Sequence, residues 1–162
     1  MDSNLSLSLG FKGQLKLNAQ AVPMQEGYLK LGGIVDASQT SGLPFGVVCS
    51  ADADTPSQIV AGKGSGNVIR GIVVFDDAIA QNAPAHPNTY LAGMPGALIN
   101  KGLVKIMAWE SGKDPVLGYK VQYKDDDGTL GFVASSADAS HTLLDGAKVV
   151  EVTDDGAYVW LG

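Results

Sequence analysis

The sequence predicts an all-β fold, and three observations carry that prediction. The 162-residue chain holds 21 glycines and 7 prolines against only 17% charged residues, whereas surface helices are rich in Glu, Lys and Arg. Apolar and polar residues alternate with a period of two in several stretches, which is the mark of half-buried strands. Clusters of Gly, Pro, Asp and Asn separate these stretches at strand-length intervals. The length suits one core and one domain.

Residues 1–23 read as an N-terminal arm or first strand, and residues 24–162 as a single β domain. Leu5, Leu7, Leu9 and Phe11 share one side of a two-residue period, and Leu15 and Leu17 extend it. Val22-Pro23 ends it, because proline removes a ladder donor. This apolar side belongs either to the domain's own first strand or to an extended arm that adds to a neighbouring subunit's sheet.

A short strand over 27–35 leads into a polar loop at 36–42, a strand at 44–50, a turn at 51–56 and a short strand at 57–61. The glycine-rich segment 62–67 lacks the spacing and the closing Lys-Ser/Thr of a phosphate loop and runs into a strand, so it reads as a hairpin loop. The apolar strand 68–75 precedes a long excursion. One helical turn is expected over 76–81, capped by Asp76 or Asp77, then an exposed loop at 82–89. A further loop at 90–100 tacks Tyr90, Met94 and Leu98 onto the body or a partner. Loops this long are usually functional or disordered, and the apolar content favours order.

The chain returns through a central strand at 101–109, a turn at 110–114 and a strand at 118–124 in which Tyr119, Val121 and Tyr123 alternate with polar residues. Asp125-Asp126-Asp127-Gly128 is a hairpin connection to a strand at 130–133, since Asp-Gly is a strong turn signal. A small, polar segment at 135–141 follows. A strand at 147–153, a turn at 154–156 and a strand at 157–161 form the closing hairpin. Trp109 and Trp160 fall in strand patterns, where core packing is the expectation.

Composition excludes several functions. A net charge of −6 with 11 scattered basic residues argues against nucleic acid, which requires clustered Lys and Arg. No apolar stretch approaches a membrane span, and no basic segment followed by an apolar run suggests a secretory signal. A protein made in a cytoplasm is expected, one that stays there or leaves within an assembly. The single Cys49 permits no intrachain disulfide and sits in an apolar strand pattern, as a small buried hydrophobe would. With two histidines, His86 and His141, in polar segments, no Gly-x-Ser-x-Gly elbow and no paired His motif, neither catalysis nor a cofactor is expected. The carboxylates of 125–127 lack the calcium-loop spacing, so no metal is expected.

From residue 43 to 161 the order of features resembles the capsid cement, or head decoration, proteins of tailed bacteriophages. The resemblance lies in Pro-Phe-Gly-Val-Val at 44–48, Gly-Ile-Val-Val-Phe at 71–75, and a loop with Tyr90 and Gly-Met-Pro at 93–95. It continues through Gly-Leu-Val-Lys-Ile at 102–106, Pro-Val-x-Gly-x-x-Val at 115–121 and Gly-x-Leu at 128–130, and leaves residues 1–40 uncovered. It implies a compact antiparallel β-barrel or sandwich on the outside of an icosahedral shell. There it would bind at junctions between major capsid proteins, often as a trimer, and stabilise the virion without a cofactor. Loop length and apolar exposure then point to capsid or subunit contacts at Leu5, Leu7, Leu9 and Phe11 in the arm and at His86, Asn88, Tyr90 and Met94 in the loop. A carbohydrate- or receptor-binding β module of a phage tail or spike is the competing expectation, with aromatic residues as sugar platforms.

Overall fold

The computed structural model describes residues 21–23, 29–64, 68–75 and 88–162. The alternating leucines before residue 21 and the helical turn expected at 76–81 lie outside these residues. Among the described residues every regular element is a strand. In chain order these are β1 Ala21–Pro23, β2 Leu29–Val35, β3 Leu43–Pro44, β4 Val48–Ala51, β5 Gln58–Ala61, β6 Ile69–Val74 and β7 Thr89–Tyr90. They continue with β8 Pro95–Lys101, β9 Leu103–Ile106, β10 Lys120–Lys124, β11 Leu130–Val133, β12 His141–Thr153 and β13 Gly156–Trp160.

Five strands close into a barrel in the order β2-β5-β4-β6-β8, and six form a sheet in the order β1-β9-β13-β12-β10-β11. The expectation of a purely antiparallel fold meets one exception, the parallel pairing of β2 with β5 through Ile34↔Gln58 and Val35↔Ile59. Geometry requires it: alternating directions cannot be maintained around a closed ring with an odd number of strands. The other four barrel pairings and all pairings of the six-stranded sheet are antiparallel.

All of β4, residues 71–74 of β6 and 96–99 of β8 are buried. Strands covered on both faces read as continuous apolar runs, without alternation. The sheet turns an apolar face inward, through Val104 and Ile106, Val121 and Tyr123, Val149, Ala157 and Val159, while Lys105 and Gln122 on its other face are covered locally. These join Ile59, Ile72 and Leu98 of the barrel in one continuous core cluster. Each fully buried aliphatic side chain in it contributes about 2 kcal/mol.

Several boundaries differ from expectation: the strand expected at 44–50 is divided into β3 and β4 by a turn at 45–46, and three further differences shape the fold. The segment 90–100, read as a loop, contains β8, which joins β2 to β6 and so closes the barrel. Pro95 sits at its first residue, where a missing ladder donor costs least, and Gly96 hid the apolar run behind it. The stretch 101–109, read as one strand, is split at Gly102, whose φ of +100° turns the chain from the barrel into the sheet. The closing hairpin begins six residues earlier than expected, at His141, because β12 carries an irregularity: Lys120 pairs with Lys148 but Gln122 with Leu143, so the segment 144–147 bulges from the ladder.

The Asp125 to Gly128 turn is not a free hairpin tip. Val48 N donates to Gly128 O (2.9 Å), Gly62 N to Val48 O (2.8 Å) and Lys63 N to Asp125 O (2.9 Å), so the turn is bonded to the barrel rim. Gly128, at φ +73°, makes this docking possible: a Cβ there would collide with the Val48 carbonyl oxygen and lie 2.8 Å from Gly62 N.

Candidate functional site

The residues expected to form contacts divide by position. Leu5, Leu7, Leu9, Phe11 and His86 lie outside the described residues. Asn88 and Tyr90 lie where β3 pairs with β7, Phe45 N donating to Asn88 O (2.8 Å), and Met94 lies beside the end of β2, its O accepting from Val35 N (2.9 Å). Asn88 and Met94 are half-buried. Tyr90 requires a correction, because it is only 1% exposed and is a core anchor. Its hydroxyl donates to Val74 O (2.7 Å), and its ring stands edge-on to Phe45 at 4.9 Å. A tyrosine amid turn-formers looks exposed in sequence, but the apolar ring fills the barrel end and the hydroxyl finds a carbonyl.

Trp160 needs the opposite correction, being 38% exposed. Tyr158 and Trp160 lie on one face of β13 and Ala157 and Val159 on the other, and the core takes the smaller pair. Trp109 packs edge-on to Phe132 at 5.8 Å and donates from Nε1 to Asp114 Oδ1 at 3.0 Å. Of the seven large apolar residues exposed among the described residues, five lie at 116–117, on β12 and at Trp160: Val116, Leu117, Val150, Val152 and Trp160. Gly118 N donates to Val149 O (2.9 Å), which sets the 116–117 turn beside β12. Val152 pairs with buried Ala157, so its exposure reflects the open tip of the hairpin.

On the solvent face of the sheet, Lys120, Lys148, Trp160 and Leu103 form one cross-strand row through the pairs Lys120↔Lys148, Lys148↔Trp160 and Trp160↔Leu103. Both lysines are exposed, and neither forms an ion pair. Like charges directly opposite one another destabilise a strand pair. Next to them the 144–147 bulge opens a groove of about 290 Å³ lined by Lys120, Leu143, Leu144, Asp145, Gly146 and Lys148. The bulge is legible in sequence only as Asp145-Gly146, and the lysine pairing depends on register, which no local pattern discloses.

Beside β10 and β11 lies a polar network. Gln122, fully buried, donates from Nε2 to Asp138 Oδ2 (2.6 Å) and accepts from Asp138 N (2.9 Å). Lys113 pairs with the same carboxylate at 2.8 Å. Lys113 first and Gln122 second hold the Asp138 carboxyl below the usual range. His141 has Ala139 O at 2.7 Å from Nδ1 and Glu110 Oε2 at 2.7 Å from Nε2. Only the imidazolium donates at both nitrogens. The Ala139 carbonyl foremost raises its pKa; burial opposes this, and the Glu110 carboxylate adds to the rise. A folded-state pKa above the unfolded value stabilises fully below about 6.5, the unfolded value, and the gain disappears as pH rises through the folded value. Thermal unfolding from pH 5.5 to 9 is therefore expected to show a stability advantage of the parent over His141→Gln that is greatest at the acid end and fades with rising pH. A pH-independent difference would refute this role.

Cys49 is fully buried, its Sγ 3.6 Å from Gly71 O, and burial pushes the thiol pKa up to about 12. It is a packing residue, since reactivity requires the thiolate. The carboxylates of 125–127 serve local bonds: Asp125 accepts from the Thr142 hydroxyl and Asp127 from Thr129 N (2.9 Å). Among the described residues no three His, Cys, Asp or Glu side chains gather as a metal site would require. No described helix is long and apolar enough to cross a membrane.

A family model described as "Structural cement protein (E217 gp24/Pam3 gp6)" matches residues 2–162. It thus reaches the first forty residues, which the motif resemblance left out. Nothing among curated proteins matches the chain. Among solved structures, a chain from "The capsid of Myoviridae Phage XM1" is similar at a TM-score of 0.66 and 15% identity, with 89% of each chain covered. At that identity the likeness is one of fold.

Proposed function

Because the chain belongs to the structural cement proteins of phages, we propose that it binds the outer surface of a tailed-phage head, at junctions between major capsid proteins, and holds the shell together there. The observation that carries this reading is the family match over residues 2–162. The fold suits the task. Closure of the barrel confines open strand edges to the other sheets, and repeated modest contacts with a lattice give tight retention. A homotrimer is the proposed assembly. Leu5, Leu7, Leu9 and Phe11, with His86, Asn88 and Met94, remain the proposed contacts, and buried Tyr90 acts by holding its loop. No catalytic step or cofactor forms part of this reading.

Sedimentation of the purified chain, alone and mixed with undecorated heads of its own phage, tests it. Saturable co-sedimentation is expected, and the free species reports whether the protein arrives as a trimer. A chain that stays in the supernatant at every concentration refutes the cement role. The exposed Trp160 would then make a sugar-binding tail or spike module the reading to pursue, by glycan array.

A further inference from the structure

Resting on the cement reading, we infer that the groove beside the 144–147 bulge, with the Lys120–Lys148–Trp160 row at its edge, is a docking surface for an acidic, apolar-tipped segment of the major capsid protein. Three observations converge on it. In a chain of net charge −6, two exposed ammonium groups face the same side from directly paired positions, and neither reaches a carboxylate. Asp145 lines the same groove but is bridged to neither lysine. The sheet carries a like-charge repulsion that a partner carboxylate would relieve.

The floor of the groove is apolar. Leu143 and Leu144 are half-buried along it, and Trp160, paired with Lys148, extends the surface onto the next strand. Aromatic and aliphatic anchors ringed by charge are how interfaces concentrate affinity. The groove is formed by the irregularity of β12: with regular pairing, residues 144–147 would lie in the ladder and leave no recess. Gly146, at φ +74° with no atom within 4 Å of a Cβ position, lets the bulge turn outward. The sign of the charge selects the partner: this local positive face in an acidic protein matches carboxylates and repels the basic surfaces that its remainder attracts.

The test compares the parent chain with Lys120→Glu/Lys148→Glu in binding to undecorated heads across a salt series. Reversing both residues retains the cross-strand repulsion, and a thermal unfolding curve of the double variant distinguishes a binding loss from a folding loss. Ala53→Glu/Ser57→Glu, at exposed positions of the β4–β5 connection, which contributes no residue to the groove, is the charge control. The expected result is a loss of about tenfold or more for the double variant, with a weaker salt dependence, and little change for the control. Equal binding by parent and double variant overturns the groove assignment while leaving the cement role intact. If the parent itself fails to bind, the cement reading falls, and this assignment with it.

Discussion

Gly128→Ala is expected to destabilise the fold by about 3 kcal/mol or more, read as a lowered urea midpoint. Two penalties coincide. The residue lies at φ +73°, a conformation that costs a side chain about 1 kcal/mol, and its Cβ would run into the backbone carbonyl of Val48. That carbonyl cannot retreat, because it accepts from Gly62 N while Val48 N donates back to Gly128 O. Gly112 separates the two penalties: at φ +79°, it has nothing within 4 Å of a Cβ position. Gly112→Ala should therefore cost only about 1 kcal/mol. Equal costs at the two sites would mean that the turn is not wedged against the barrel.

Phe45→Ala is expected to cost about 4 kcal/mol, the usual scale for emptying a buried phenylalanine site. Phe45 is fully buried, edge-on to Tyr90 at 4.9 Å and to Phe75 at 5.9 Å. Its removal leaves a cavity between the β3–β7 pair and the barrel and frees the ring beneath the 88–94 segment. Beyond the stability loss, which calorimetry measures, faster amide exchange at residues 88–94 than elsewhere is expected. A loss below about 1 kcal/mol would show that the site collapses around the missing ring.

The parts of the fold legible in the sequence are those where large apolar residues alternate with polar or small ones and a turn residue marks the strand end. β10, β11 and the end of the closing hairpin carry alternation, Asp-Gly steps and clear stops. β8 was not legible, because burial on both faces removes alternation and its opening Pro95-Gly96 mimics a turn. Alternation separates the faces of a strand but does not say which one turns inward when both are apolar. Tyr158 and Trp160 therefore could not be told from Val159 and Leu161. For the candidate site, loop length directs attention to Asn88 and Met94, whose contact role is a proposal. It misjudged Tyr90, whose burial is decided by Phe45, far away in sequence. The paired lysines are ordinary surface residues until the register of β10 and β12 makes them neighbours.

The ring of five strands also dictates an order of events at the ribosome. Among the described residues β2 has as its neighbours only β5 and β8, and β8 ends at Lys101; β1 pairs there only with β9, which follows β8. Among the described strands β1 and β2 are thus the ones that wait longest for their last partners, while later strands such as β10 and β11 pair almost as soon as they appear. Completion of the barrel is then a late, long-range step, slow by the entropy of loop closure. Until then β2, held only by its two-residue parallel pairing with β5, presents an open edge, the interval in which a second nascent copy can take the place that β8 will fill.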